Sequence, residues 1–556
     1  DIRFLLYDVF DYEGRVHALP GFEDASRDVV DAVLEEAAKL SVNELLPLNR
    51  PGDEEGCAFE NGVVRTPKGF KEAYTAFCQG GWTGLSCDPD FGGQGLPKTL
   101  QFIVDELICS TNLSFGTYPG LSHGAYNALA LHGSDALKSV FLAKLVDGTW
   151  SGTMCLTEPH CGTDLGLIRT KAVPAGGGAI ADVQSYKISG TKIFISAGEH
   201  DLTENIVHLV LAKLPDAPPG IKGITLFAVP KFLPATDGTV GPRNGVACGA
   251  IEHKMGIKAS ATCVMNFDEA EGYLVGTPHA GMRAMFTMMN VARLAVGIQG
   301  LGLAETAYQS AVAYARDRLQ GRALSGAKAP GKAADPIIVH PDVRKNLLTM
   351  RANVEGARAL AIWIGTAVDV SERHPDPKTR QEADDLVALL TPIVKAYFTD
   401  IGFDVTNLGV QIFGGHGYIR EHGMEQLVRD ARIAQLYEGT NGIQALDLVG
   451  RKLGQNMGRL LRRFFHPVLA FIETTQEKAD MVEFVLPLAK AFARLQQATA
   501  WVAQQGLRDP EEAGAAASDY LRLFALVALA YMWARMAQVI LTKPEGERTA
   551  THKAKL

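Results

Sequence analysis

The stretch Leu436-Tyr437-Glu438-Gly439-Thr440-Asn441-Gly442 decides how the second half of the chain is read. Ahead of it, Leu427, Ala431 and Ala434 mark one apolar helix face, and one further turn of the same helix carries that face to Glu438. A carboxylate then points where a core side chain is expected. Gly439 leaves the backbone beside it open to a ligand. Thr440 or Asn441 can cap a following helix whose face runs Ile443, Leu446, Val449, Leu453. A carboxyl in apolar surroundings holds its proton more tightly, which suits a general base. The plain alternative is a solvated or capping Glu at a helix end.

Working outward, helical periods fill the chain from Gly281 on. The face Ile401, Val405, Leu408, Ile412 should stop at Gly414-Gly415, Tyr314 to Arg322 closes another long helix, and 323–336 is an Ala/Gly/Pro-rich loop with no packing pattern. Beyond Leu453 further helices follow, with a linker expected at Arg508 to Ala513. The apolar run Leu523 to Ala534, bounded by Arg522 and Arg535, is shorter than the roughly 18 residues of a membrane span and reads as a core helix. Toward the N-terminus, Val29, Val33 and Ala37 repeat at helical spacing, whereas β-rich runs follow Gly152: Tyr186 to Ser196, Ile206 to Ala212, Ile224 to Val229 and Ala261 to Phe267. Ser189-Gly190 is read as a hairpin turn. The expected fold is therefore mainly α with an inserted, barrel-like β domain, divided as 1–150 (helical), 151–275 (β), 276–453 (helical, carrying the base) and 454–556 (an appended helical domain).

Composition fits this reading. Of 556 residues, 47% are apolar and 21% charged, so the chain can bury a core and is not disordered. With 54 basic and 62 acidic residues the formal charge is −8, and no block of like charge offers a footprint for nucleic acid. The cysteines at 57, 78, 87, 109, 155, 161, 248 and 263 form no Cys-x-x-Cys pair and read as reduced, buried thiols of a reducing compartment. No basic-then-apolar signal stretch opens the chain. Ala554-Lys555-Leu556 has the look of a peroxisomal address, a tripeptide common by chance.

Other segments carry possible chemistry. Met154 to Asp164, with Leu156-Thr157-Glu158-Pro159 and Cys161-Gly162-Thr163, has the hydroxyls and glycine to hydrogen-bond a planar polar ring, or is a turn-rich connection. Phe194-Ile195-Ser196-Ala197-Gly198 could add an aromatic wall and a hydroxyl. Gly92-Gly93-Gln94-Gly95 runs into Leu96-Pro97 and is no dinucleotide fingerprint. His416 and His422 have no metal-ligand spacing, so no metal is assigned. Arg459, Arg462 and Arg463 read as a solvated helix face.

Taken together, Leu156-Thr157-Glu158-Pro159 to Asp164, Phe194 to Gly198, Arg293, Tyr314 to Arg322, Gln411-Ile412-Phe413-Gly414-Gly415-His416-Gly417 and Tyr437-Glu438-Gly439-Thr440-Asn441 resemble, in order and spacing, the acyl-CoA dehydrogenase family over residues 25–453. Within it, Asn61 to Phe70, Gly80 to Leu96 and the extra C-terminal domain look like the larger-subunit 3-methylmercaptopropionyl-CoA dehydrogenase subgroup. The resemblance implies bound FAD and α,β-dehydrogenation of an acyl-CoA thioester, with Glu438 taking the α-proton while the β-hydride passes to the flavin. By likeness, Leu156, Thr157, Gly162 and Thr163 bind the flavin, and Phe194 and Ser196 pack on and bond to its rings. Arg318 reaches the pyrophosphate of a neighbouring subunit's FAD together with Gln411, Gly414 and Gly415, and Thr440 lies against the adenosine half. Thr163, Asn290, Arg293 and Gly439 are the implied substrate contacts. A homodimer, an electron-transferring flavoprotein as acceptor, a bacterial cytoplasmic setting and a short or methylthio acyl chain follow from the same likeness. Thr163 and Gly442 depart from the family's usual Ser and Glu or Gln, and the Arg318 segment is one residue shorter before Gly321. An acyl-CoA oxidase, a long-chain dehydrogenase and a non-catalytic scaffold share the fold and stay open at this point.

Overall fold

The computed structural model describes residues 1–235 and 238–556. It divides into two compact units, one of Ala37–Leu96 and Thr111–Ala292, the other of Asp1–Glu36, Pro97–Ser110 and Arg293–Leu556. The chain is mainly helical with one β domain, the expected class.

In the first unit, seven strands form one sheet: Trp150–Cys155, Lys171–Gly176, Ser185–Ser196, Asn205–Lys213, Ile224–Pro230, Val246–Ile251 and Thr262–Val275. Ile224–Pro230 bonds to both Asn205–Lys213 and Thr262–Val275, which closes five of the strands into a barrel and removes their free edges. Asn205–Lys213 is buried at every residue but its last. Val210, Phe227, Val229, Cys263 and Met265 fill one core, while Leu209, Leu226 and Tyr273 pack with Phe141, Trp150 and Met288 in the other. The hairpin expected at Ser189-Gly190 is absent, because both residues sit inside the continuous strand Ser185–Ser196, where Gly190 pairs with Phe267. A Cβ on Gly190 would lie 2.4 Å from Thr170 Oγ1, so its glycine serves a close strand crossing rather than a turn. The strand expected to end at Phe267 continues through an irregularity to Val275. A short hairpin, Ala58–Glu60 with Val63–Arg65, interrupts the stretch read as all helical. All eight cysteines are free, six of them buried.

The second unit is built from long helices, chiefly Pro341–Arg373, Pro377–Phe413, Val482–Arg508, Pro510–Thr542 and the part of Gly281–Asp317 that begins at Arg293. Gly281–Asp317 and Pro377–Phe413 touch backbone to backbone. A Cβ on Gly300 would fall 2.4 Å from the Phe398 carbonyl oxygen, and one on Gly402 would fall 2.8 Å from Gly300 Cα. Arg358, buried on Pro341–Arg373, bonds Glu106 (2.6 Å) and Glu305 (2.8 Å), a triad that fixes three helices at once.

Several sequence expectations change in this unit. The helix expected to include Arg322 ends at Asp317, and Leu319 forms an isolated bridge with Pro336. The loop 323–336 has an internal anchor: Asp335, fully buried, accepts hydrogen bonds from the amides of Ala323 (2.9 Å), Lys328 (2.9 Å) and Ala329 (2.7 Å) and from Arg322 (3.2 Å). Arg459 and Arg463 are not a solvated face, since Arg459 clamps Asp385 through two bonds of 2.7 and 2.9 Å and Arg463 pairs with Glu382 at 3.0 Å. The linker expected at 508–513 shrinks to Asp509, whose carboxylate caps Pro510–Thr542. Pro377–Phe413 and Pro510–Thr542 are long and apolar enough to cross a membrane by composition, but 78% and 61% of their apolar windows are buried in protein, as in core helices.

Candidate active site

In the helical unit, Met424–Arg432 gives way to a short 3₁₀ turn, Ile433–Gln435, so the helix does not persist to Glu438. Glu438 instead takes φ 58° and Gly439 φ 84°. A left-handed non-glycine residue costs about 1–2 kcal/mol and persists only where its surroundings impose it. Here the side chains of four residues impose it. Gln444 Nε2 donates to the carbonyls of Glu438 (3.1 Å) and Gly439 (3.4 Å), and a Cβ at 439 would meet that nitrogen at 2.7 Å. Thr440 caps Asn441–Asp447 through the Ile443 amide (3.4 Å). Tyr437 donates its hydroxyl to Gln299. Asn441 Nδ2 donates to the Ala396 carbonyl (3.1 Å) and Asp400 (2.7 Å), while its Oδ1 accepts from Lys395 Nζ at 2.9 Å.

This loop sets Glu438 into a recess, half-buried by surface yet deep among protein atoms. Burial pushes its carboxyl up to about 7, against the opposing pull of Arg293 and Lys395. Arg293 is buried and faces Asp447 as well as Glu438. Lys395 has no exposed surface, and its ammonium is pushed down to about 8 by burial. The two cations act on the carboxylate electrostatically, from helices that Gly297, Gly300 and Gly402 let touch.

Arg318, Gln411, Gly414 and Gly415 gather at another end of the same unit. Tyr314 stacks on Phe413 (4.1 Å between centroids, 15°) and its hydroxyl bonds His416 Nδ1 at 2.8 Å, joining the end of Gly281–Asp317 to the end of Pro377–Phe413. Arg318 and Gln411 are exposed, and no atom lies within 4 Å of a Cβ built on Gly414 or Gly415, so bare backbone faces outward there. Among the described residues Arg318 makes no ion pair. A free guanidinium beside open glycine backbone suits an anionic ligand.

In the β unit, Leu156, Thr157, Gly162, Thr163, Phe194 and Ser196 cluster where the Ile193 amide donates to the Thr157 carbonyl at 2.9 Å. Phe194 exposes 60% of its surface and takes φ 57°, and Ala197 takes φ 54°. An aromatic ring held outward on strained backbone is arranged to be covered by a flat ligand. Beneath it, Lys192, fully buried, donates to the Leu156 carbonyl (3.0 Å) and Glu158 (2.9 Å), and Glu158 accepts from Arg169 N, Thr170 N and Thr170 Oγ1. The residues present thus fit the ring system and the pyrophosphate of a flavin dinucleotide in two separate groups. Asn290 is exposed on Gly281–Asp317.

Sequence reading missed Lys395, Asn441's role as a tether, and the Lys192–Glu158 pair. Lys395 left a signal, as the one charge in Pro392-Ile393-Val394-Lys395-Ala396-Tyr397-Phe398. The others left none, since only the fold brings their partners together.

Four family descriptions tile the chain: acyl-CoA dehydrogenase N-terminal domain over 30–149, middle domain over 153–270, C-terminal domain over 279–453, and acetyl-CoA dehydrogenase C-terminal like over 464–556. The chain belongs to the acyl-CoA dehydrogenase family, enzymes that use FAD to dehydrogenate acyl-CoA thioesters. Among its relatives, the 3-methylmercaptopropionyl-CoA dehydrogenase of Ruegeria pomeroyi is 45% identical over 94% of this chain and 87% of its own. An acyl-CoA dehydrogenase of Bacillus anthracis, solved with FAD, shares the fold across 98% of this chain and 86% of its own, with a TM-score of 0.75 at 20% identity. A chain from work on the electron-transferring flavoprotein of Acidaminococcus fermentans covers 78% of this chain and 99% of its own, with a TM-score of 0.62 at 24% identity.

Proposed function

We propose that Glu438 is the general base of this dehydrogenase and that the acyl chain it acts on is short, 3-methylmercaptopropionyl-CoA or a butanoyl-type thioester. The observation that carries the base assignment is the recessed carboxylate on a left-handed turn, pushed up to about 7 and faced by two buried cations. A carboxylate of that basicity removes an α-proton more readily than an ordinary surface glutamate would. The Glu438 backbone N–H donates to the thioester oxygen, so proton removal and carbonyl polarisation occur at one residue. Bound FAD supplies the two-electron acceptor for the β-hydrogen. Leu156, Thr157, Gly162, Thr163, Phe194 and Ser196 hold its ring system. Arg318, Gln411, Gly414 and Gly415 reach the pyrophosphate of a neighbouring subunit's FAD, Thr440 lies against the adenosine half, and Thr163, Asn290, Arg293 and Gly439 meet the substrate.

The short-chain reading is supported by the 45% identical relative. Of the three methionines that could adapt to a longer tail, Met285 and Met288 are wholly buried in the core, Met288 against Gly124, and Met289 is half-buried against it, which suits core packing. A thioether sulfur and a methylene are close in size, so one apolar pocket takes both with little discrimination. The test is kcat/KM for the methylthio substrate, butanoyl-CoA and palmitoyl-CoA in one assay. A tenfold preference for palmitoyl-CoA, about 1.4 kcal/mol, overturns it.

With this reading go an electron-transferring flavoprotein as acceptor, a role in sulfur metabolism, a homodimer in the bacterial cytoplasm, and the four-part division 1–150, 151–275, 276–453 and 454–556, which the spans of the family descriptions support. Arg318→Ala should lower FAD retention and weaken assembly together. A fully active, FAD-replete monomer by light scattering refutes the dimer and the role of Arg318.

A further inference from the structure

The lysine buried beside the catalytic loop is assigned no step of the reaction above, although its charge acts on Glu438. Lys395 lies in the apolar run Pro392 to Phe398 and is fully enclosed. Burying an ammonium is costly unless a fixed partner receives it. The partner found is neutral: Asn441 Oδ1, at 2.9 Å. That amide is locked in turn by Thr399 (2.9 Å), the Ala396 carbonyl and Asp400, and Asp400 also accepts from Gln435 at 2.8 Å. Asn441 opens the helix that follows Glu438-Gly439-Thr440, so the network ties the loop to Pro377–Phe413.

We propose that Lys395 is a positioning residue of the reaction, tethering the Glu438 loop through Asn441 and supplying the positive charge that keeps the Glu438 carboxylate available as a base. This rests on Glu438 being that base. A neutral side chain in the same place could hold the loop by a hydrogen bond, but only a cation offsets the burial of the carboxylate.

The charged groups acting on Glu438 come from separate elements: Arg293 on Gly281–Asp317 and Lys395 on Pro377–Phe413. Asp400 acts on Lys395, and Asp447 and Arg451 act on Arg293. Arg293 keeps its charge at any working pH. Lys395, pushed down to about 8, does not. The ammonium is charged across the range in which Glu438 titrates, and that is where it supports the base.

The test uses the FAD-loaded protein and two readouts. One is the infrared carboxyl band of Glu438 followed against pH, identified by its loss in Glu438→Gln. The other is the pH profile of anaerobic flavin reduction by butanoyl-CoA. Lys395→Gln should move the midpoint of the band up by one pH unit or more and slow reduction at pH 7 at least fivefold with KM little changed. Lys395→Arg should restore most of the rate and the wild-type midpoint, because a guanidinium keeps the charge in place. A folded Lys395→Gln with midpoint and rate within twofold of wild type overturns the proposal. If Lys395→Gln does not fold, Asn441→Ala carries the test: at least a fivefold slower reduction supports the tether, and an unchanged rate and midpoint overturn it. A reduction rate that survives in Glu438→Gln shows instead that the base assignment is wrong, whatever Lys395 does.

Discussion

Lowering the pH titrates the proposed base directly, and the structure sets the size of the effect. The Glu438 carboxyl is pushed up to about 7 by burial, so about half of it is ionised at pH 7, about a tenth at pH 6 and about a hundredth at pH 5. Only the ionised form accepts a proton. Single-turnover flavin reduction at substrate concentrations below saturation, which reports the free enzyme, should rise about fiftyfold from pH 5 to pH 7, with FAD retention checked by absorbance at each pH. The same shift has a stability sign. The folded state holds this proton more tightly than the unfolded chain, whose glutamates titrate near 4.3. The contribution to stability is therefore full below about pH 4 and is lost as the pH rises to 7 and beyond. At 1.36 kcal/mol per unit the loss is about 3.7 kcal/mol at most, and the solvent reaching this half-buried group reduces it to about 1–2 kcal/mol. Glu438→Gln should thus melt above wild type at pH 8, with the gap closing toward pH 4. An acid limb centred near 4.5, or a melting gap independent of pH, refutes the reasoning.

Other perturbations test the scaffold around the base. Gly300→Ala places a Cβ 2.4 Å from the Phe398 carbonyl oxygen, so the two helices carrying Arg293 and Lys395 should separate. About 1–3 kcal/mol of stability should be lost and the acid limb should shift with it, whereas an unchanged melting curve and pH profile contradict the packing argument. Asp335→Ala removes the anchor of loop 323–336, and the amides of Ala323, Lys328 and Ala329 should exchange hydrogen at least tenfold faster while Glu438 chemistry is unaffected. Bonds from those amides hold the Asp335 carboxyl well below the usual range. In wild type the loop should therefore keep its protection at pH 4 and lose it only in stronger acid; protection lost already between pH 6 and 4 speaks against the anchor.

The parts of this molecule that repeat along the chain were legible in its sequence. Helix periods, the strands from Ser185 to Pro230 and the stop at Gly414 depend on local pattern, and each falls within a residue or so of its expected place. Gly190 was misread because a glycine that admits a neighbouring strand looks the same in sequence as one that makes a turn. Glu438 was found for a reason that failed in detail: its face was extrapolated from a helix that ends at Arg432, and the recess comes from a left-handed turn held by Gln444 and Asn441. Asp335, Arg459 and Lys395 escaped because their meaning lies in partners from 6 to 74 residues away.

The central claim is that Glu438 removes the α-proton. Its most direct test is anaerobic mixing of FAD-loaded Glu438→Gln with 3-methylmercaptopropionyl-CoA or butanoyl-CoA while the flavin absorbance is followed. The account predicts that FAD and substrate bind as in wild type, with spectral perturbation on binding, and that bleaching slows by three orders of magnitude or more, about 4 kcal/mol of lost transition-state stabilisation. Bleaching within tenfold of the wild-type rate contradicts it.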